Sequence, residues 1–322
     1  MEDSQELQWR NYTEVTEFIL QGFLDFQEFQ VLLFAVILVV YGATIVGNSL
    51  IIAVIRACST LHTPMYFFLQ NLSFLELCYT SVTVPKMLAD IMMDSRSISY
   101  LGCLVQMYSF ALSGSAECLL LTAMAYDRYV AICHPLHYFL TMSKSVCVGL
   151  VAGSWLSGII VALIQAMLMV RLRFCQSNTI DHFFCDIVPL IKLACGDTSV
   201  NQLELLVVIV FVGVIPFMLI LVSYVRIIFT ILTMSSAKGR CKVFSTCSSH
   251  LMVVSLFFGS SCAMYLGNAS TLALGRRSNK FLSLLYAVVT PMLNPVIYSL
   301  RNKEVKGALK SILSRLEHGS RP

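Results

Sequence analysis

Charge is what this chain has least of. Its 322 residues hold 22 Lys and Arg and 18 Asp and Glu, only 12% in all. Soluble domains carry about 25%, so the polar side chains are too few to cover a globule in water. That excludes a soluble enzyme and a disordered or collagen-like chain, and no nucleic-acid partner is expected. Repeats of 20–50 residues and low-complexity stretches are absent. No nucleophile, base and orienting group cluster together, so the chain is read as no enzyme, with no catalytic residues. Residues 1–28 are polar and acidic without an apolar core, which argues against a cleavable signal peptide.

What the chain has in excess is hydrocarbon, 57% of residues with a mean hydropathy of +0.77. A spanning helix needs about 20 apolar residues at about 1.5 Å each. Gln30–Ile55 is one such run without a charge, and others lie near 65–92, 103–130, 146–170, 203–232, 243–267 and 281–300. These continuous runs are unlike the alternating strands of a membrane barrel. The expected architecture is an all-α membrane protein, a bundle of seven transmembrane helices. Residues 1–28 form an outer segment, 29–300 the bundle, and 301–322 a cytoplasmic amphipathic helix and tail. In that tail Val305, Leu309, Ile312, Leu313 and Leu316 recur at helical spacing among Lys303, Lys306, Lys310 and Arg315, suited to lying on membrane lipids.

Seven spans put the termini on opposite sides. The side with the C-terminus holds 13 of the 22 basic residues and three acids, so the C-terminus is expected in the cytosol and the N-terminus outside. Asn11-Tyr12-Thr13 is then an outward-facing glycosylation sequon. Asn268-Ala269-Ser270 is a second sequon, close to the membrane. Cys103, Cys175, Cys185 and Cys195 fall on the outer side, where two bridges with three open pairings are expected. A zinc site combining them with His182 is the weaker alternative. With so short an outer segment, recognition falls to the bundle and to the long loop near 171–200, read as a lid.

Two acids interrupt the spans. An acid in mid-membrane costs at least about 2.5 kcal/mol, so Glu76 and Glu117 should face a polar cavity. At similar depth they cannot both stay ionised unaided; a sodium ion or a shared proton resolves the conflict. No other cofactor is expected. Cys103 and Arg128 are 25 residues apart, about 37 Å of helix, which places Asp127-Arg128-Tyr129 at the cytosolic face. There Arg128 can be locked by Asp127 and released to a partner. Pro216, Pro291 and Pro295 should bend their helices.

Five segments, in order, resemble olfactory receptors, a family of rhodopsin-like G-protein-coupled receptors. They are Leu61-His-Thr-Pro-Met-Tyr66, Met124-Ala-Tyr-Asp-Arg-Tyr-Val-Ala-Ile-Cys133, Ser223-Tyr224, Phe244-Ser-Thr-Cys-Ser-Ser-His250, and Pro291-Met-Leu-Asn-Pro-Val-Ile-Tyr298 with Ser299-Leu-Arg-Asn-Lys303. The resemblance covers about residues 10–316. It implies bridges Cys103–Cys185 and Cys175–Cys195, and a sodium-type site at Glu76, Glu117 and Asn294. It implies a switch at the cytosolic face made of Asp127, Arg128, Tyr129, Tyr224, His250 and Tyr298. The odorant would lie against Met107, Phe110, Ala111, Gly114 and Ser115, and against Val208 and Val212. Phe258, Ser261, Cys262 and Tyr265 would line it from the sixth span, Ser283 and Ala287 from the seventh. The family usually has Phe-Tyr-Gly where this chain reads Phe257-Phe258-Gly259, which points to a more apolar pocket floor.

The implied function is an odorant receptor of the plasma membrane, in sensory cilia, that binds small volatile molecules. It would activate a heterotrimeric G protein of the stimulatory olfactory type and raise cyclic AMP. Two alternatives remain: the same fold sensing metabolites in a non-olfactory tissue, and an ion-coupled transporter using Glu76 and Glu117. The transporter would show internal symmetry, and none is visible.

Overall fold

The computed structural model describes residues 15–23, 28–93, 96–174, 178–269, 276–301 and 305–308. Asn11, Cys175 and most of the expected C-terminal amphipathic helix lie outside them. So do the side chains of Tyr265 and Asn268. Seven long helices form the bundle: α1 (Gln30–Ala57), α2 (Pro64–Met92), α3 (Tyr100–Cys133), α4 (Lys144–Val170), α5 (Ser199–Thr233), α6 (Ala237–Ala269) and α7 (276–301). All except α2 contain a stretch long and apolar enough to cross a membrane. α2 is diluted by Glu76, Lys86 and Asp90 and packs between α1 and α3 as the seventh. Side chains set the helix starts: Ser99 accepts from the Gly102 amide at 3.1 Å, Ser143 from that of Val146, and Pro64 opens α2.

α3 is the central helix, in contact with α2, α4, α5 and α6. Its closest approach is to α4 at Gly158, where an added Cβ would lie 2.5 Å from the Leu112 carbonyl oxygen. Gly47 plays a similar part on α1, with its absent Cβ 3.0 Å from the Pro295 ring. The outward faces carry Val31, Val39, Leu156, Met167, Phe211 and Phe229, apolar and exposed, as contact with lipid requires.

Two of the three prolines expected to bend their helices come with widened turns. Residues Ile209–Val214 and Leu285–Val289 are π-helical and end shortly before Pro216 and Pro291. A proline ring clashes with the carbonyl one turn back, and a wider turn relieves the clash. Pro295 likewise frees the Pro291 carbonyl, which accepts instead from Asn48 Nδ2 on α1 at 3.3 Å.

One finding departs from the expected all-helical chain. The N-terminal face carries a small sheet in which β1 (Glu17–Leu20) lies between β2 (Ser97–Ser99) and β4 (Thr179–Ile180). β1 runs antiparallel to β2, pairing Phe18 with Ile98, and parallel to β4, pairing Leu20 with Ile180. β3 (Arg173–Phe174) pairs with β5 (Ala194–Cys195). Phe18 and Leu20 alternate inward and join Met107, Met169, Phe174, Ile180 and Ile187 in a second core. The segment expected to be a polar tail therefore contributes a strand.

Replacing Gly158 by Ala should destabilise the protein by about 1–3 kcal/mol, the range for overpacking, because backbone stands in the way. Gly149→Ala, where a Cβ meets nothing within 4 Å, should be neutral or stabilising. Thermal unfolding of both variants in detergent checks this; equal melting temperatures would contradict the close approach.

Candidate functional site

Three zones line up through the bundle. The first is a cradle beneath the lid. Cys185 is bridged to Cys103 near the start of α3, with Cα atoms 5.4 Å apart. Gln106, one turn on, accepts from the Cys185 amide at 2.8 Å and donates to the Val82 carbonyl on α2 at 3.2 Å. So anchored, the loop lays Phe184 on Phe110, ring centroids 4.7 Å apart. Phe110 meets Tyr286 of α7 at 5.7 Å and Tyr79 of α2 at 6.3 Å, both edge-on. Tyr286 meets Phe257 at 5.5 Å, and Phe258 rests between Phe257 and Phe217.

Of the ligand-lining residues expected from the resemblance, Phe110 and Phe258 belong to this aromatic cluster and Gly114 adjoins it. Phe110, Ser115, Phe258 and Ala287 are buried, while Ala111, Gly114, Val208, Val212 and Ser261 are half-buried. A Cβ on Gly114 would lie 3.2 Å from the Tyr286 hydroxyl, so glycine there admits the tyrosine. Others are engaged elsewhere or turned out. Met107 belongs to the core under the sheet, and Cys262 is exposed. The Ser261 hydroxyl bonds the Phe257 carbonyl at 2.7 Å. Ser283 pairs with His182 Nε2 at 3.0 Å. Phe184, Tyr286 and Tyr79 were not expected. The signal for Phe184 was its place next to Cys185, since any bridge to α3 brings it over that helix.

The lid is latched to α7 by this His182–Ser283 bond and by an ion pair, Lys280 Nζ to Asp181 Oδ1 at 3.0 Å. Burial, then the Lys280 charge, depresses His182 from 6.5 to about 3. Burial raises Asp186 from 3.8 to about 6, while the Ile187 amide bond opposes this. Cys195 is also disulfide-bonded; its expected partner, Cys175, lies outside the described residues. With Cys103 and Cys185 joined, neither is a thiolate, and the zinc alternative loses those ligands.

The second zone is polar and central. Asn294 on α7 donates to Glu76 on α2, and Glu117 on α3 lies within reach of the Glu76 charge. All three are buried with Asn48. Asn48 Oδ1, Glu76 Oε2, Glu117 Oε1 and Asn294 Oδ1 have no hydrogen-bond partner.

The third zone is the Arg128 end. Tyr224 of α5 and His250 of α6 share a hydrogen bond of 2.7 Å. The Arg128 guanidinium is within electrostatic reach of both and of Tyr298 on α7. Asp127 and Arg128 form no direct ion pair, although the Arg128 charge still reaches the Asp127 carboxyl. Neighbours on a helix point about 100° apart, and Asp127 instead accepts from Tyr138 in the loop after α3, at 2.9 Å. Tyr129 pairs with His134 at 3.0 Å.

A lidded aromatic cradle over a buried acid pair, with a tyrosine–histidine–arginine cluster at the far end, is thus carried by a seven-helix membrane bundle. A profile of the family described as olfactory receptor matches residues 36–316. The chain is 53% identical over 305 residues to olfactory receptor 10A7 of Homo sapiens, covering 95% of this chain and 96% of that one. It is 50% identical over 309 residues to olfactory receptor 1E2 of Gorilla gorilla gorilla, covering 95% and 97%. It is 50% identical over 304 residues to olfactory receptor 1f45 of Rattus norvegicus, covering 94% and 96%. The chain belongs to the olfactory receptor family and is a multi-pass membrane protein.

His182 and Asp186 should give the lid opposed responses to pH. A depressed histidine leaves stability intact above about pH 6.5 and loses it as pH falls, because the opened loop binds the proton first. A raised aspartate works the other way, adding stability as pH falls through about 6. By about pH 5.5 each effect is about 1 kcal/mol. His182→Gln should therefore tighten the lid on acidification from pH 7.4 to about 5.5, and Asp186→Asn should loosen it. Hydrogen exchange of the 178–195 amides, corrected for intrinsic rates, reads the difference. The same response in both variants would contradict the assignment.

Proposed function

We propose that small volatile molecules bind in the cradle and favour a state whose Arg128 end accepts a heterotrimeric G protein of the stimulatory olfactory type, raising cyclic AMP. The observation that carries this reading is continuity. Helices α3, α6 and α7 supply both the cradle (Phe110, Phe257, Tyr286) and the far cluster (Arg128, His250, Tyr298). A ligand that binds one arrangement of these helices better than another shifts the population at both ends. The N-terminus would face outside and the C-terminus the cytosol, in sensory cilia by family.

In this reading a sodium ion would be held by Glu76, Glu117, Asn48 and Asn294. The amide donors are already spent, with Asn48 Nδ2 on carbonyls and Asn294 Nδ2 on Glu76, while the Tyr298 hydroxyl stands unpaired within electrostatic reach of both acids. Four oxygen acceptors without donors fit a hard cation; a single shared proton would serve only one pair of them. The ion would supply positive charge that lets both acids stay ionised, and would favour the closely packed resting bundle.

The cradle offers few polar partners, so a ligand of about 10 heavy atoms should bind at roughly 10–100 µM. Cyclic AMP output from surface-expressed receptor against a broad odorant panel should give such potencies, and Arg128→Ala should abolish the response with surface staining retained. Full signalling by Arg128→Ala would refute the coupling role. For the cation, thermal stability should rise when sodium replaces choline, and Glu76→Gln should remove that increment. An unchanged increment would leave the acid pair to a proton.

A further inference from the structure

On the outer wall of the bundle, towards the Arg128 end, a groove of about 690 Å³ opens between α3, α4 and α5. The volume lies within the about 300–1,000 Å³ typical of small-molecule sites, but this groove is separate from the cradle and the acid pair. Leu119 and Tyr126 line it from α3, Gly149 and Gly153 from α4, and Leu219 and Arg226 from α5. The two glycines are four residues apart on one face of α4, and a Cβ on either would meet nothing within 4 Å. Their missing side chains leave the space, and no neighbour has moved in to fill it.

The walls are apolar in effect. Thr122 bonds the Cys118 carbonyl, Ser154 that of Leu150 and Ser223 that of Leu219, each at 2.8 Å. These hydroxyls are satisfied by their own helices and offer an occupant mainly hydrocarbon. At the rim, however, is a full charge. Arg226 is exposed on α5, seven residues before its end at Thr233, or about 10 Å along the axis. Among the described residues no carboxylate forms an ion pair with it. A guanidinium at that depth on a lipid-facing helix reaches for the headgroup layer, and its planar fork matches a phosphate oxygen pair.

We propose that the groove binds an anionic glycerophospholipid of the leaflet at the Arg128 end, with its phosphate on Arg226 and one acyl chain laid between α3, α4 and α5. A lipid satisfies both halves of the site at once, apolar along its length and anionic at one end. The occupant would lie beside the switch, since Tyr126 precedes Asp127 and Arg226 is two residues beyond Tyr224. Neither an odorant nor a G protein enters the argument, so its failure and the failure of the receptor reading are separate results.

The test is photolabelling of the full-length receptor in phosphatidylcholine vesicles. The vesicles carry trace phosphatidylserine or trace phosphatidylcholine, each with a diazirine on one acyl chain, in both leaflets. Groove peptides of α3, α4 and α5 should take up at least fivefold more of the phosphatidylserine probe. Arg226→Gln should bring that ratio near one, and Gly153→Leu, which fills the groove, should cut labelling by both probes several-fold. An intact Cys103–Cys185 bridge reports folding of each variant; if Gly153→Leu misfolds, Arg226→Gln still decides. Equal labelling by the two probes, a preference that survives Arg226→Gln, or displacement of phosphatidylserine by a sterol would overturn the proposal. Loss of labelling on adding inorganic phosphate would overturn it too, reassigning Arg226 to a free anion.

Discussion

Hydrocarbon contains no water, so each polar group in it must be answered by another group of the protein. The arrangement of α7 follows from that constraint. Pro295 removes an amide and strands the Pro291 carbonyl, and only a donor from outside the helix can answer it. Asn48 does so from α1, and Gly47, beside it, lets the Pro295 ring come close enough. The lower half of α7 is thereby fixed to α1. Asn294, one residue before that proline, is then held where it donates to Glu76. The upper half is different. It begins with the wide turn before Pro291, which carries Tyr286 and Ala287 into the cradle. One helix is thus tied to α1 below and to the lid above, through Ser283 and Lys280, with the wide turn between the two anchors.

The lid answers a second problem, how a connection of some thirty residues keeps one shape. A disulfide alone would fix one point. Here Cys185 is held by the bridge and by Gln106, while β4 is paired with β1 and the two residues after it, Asp181 and His182, are latched to α7. These attachments come from three elements, α3, β1 and α7. The loop therefore encodes the relative positions of the N-terminal segment, α3 and α7, and Phe184 is placed by all of them together. In the proposed ligand role, a cradle closed this way would select by shape more than by hydrogen bonding. Apolar pockets discriminate by only about 1–3 kcal/mol per methylene, so such a lining would be broadly tuned.

The spans were legible because a lipid-facing helix must be apolar throughout, which leaves a continuous signal. Glu76 and Glu117 were legible for the converse reason, since acids are costly there. What escaped was set by partners distant in sequence. Glu17-Phe-Ile-Leu20 alternates over four residues only, too short to announce a strand until residues 97–99 and 179–180 lie beside it. Asp127 and Arg128 read as a pair because they adjoin, yet helical geometry separates adjacent side chains and hands Asp127 to Tyr138. The wide turns at Ile209–Val214 and Leu285–Val289 carry no pattern of their own and follow from Pro216 and Pro291. Tyr286 escaped because its role depends on the missing side chain of Gly114 across the bundle.

About half of the residues are shared with receptors from human, gorilla and rat over nearly the whole chain. The cradle shows why such kinship fixes the frame before the ligand. On its α3–α7 side the Tyr286 hydroxyl comes down over Gly114, beside buried Ser115. On its α5–α6 side Phe217, Phe257 and Phe258 present ring carbon, none of the three carrying a hydroxyl. The lining is therefore polar at one end and hydrocarbon at the other. If the cradle holds the proposed ligand, a molecule with one oxygen would turn it towards α7 and its apolar body towards α6.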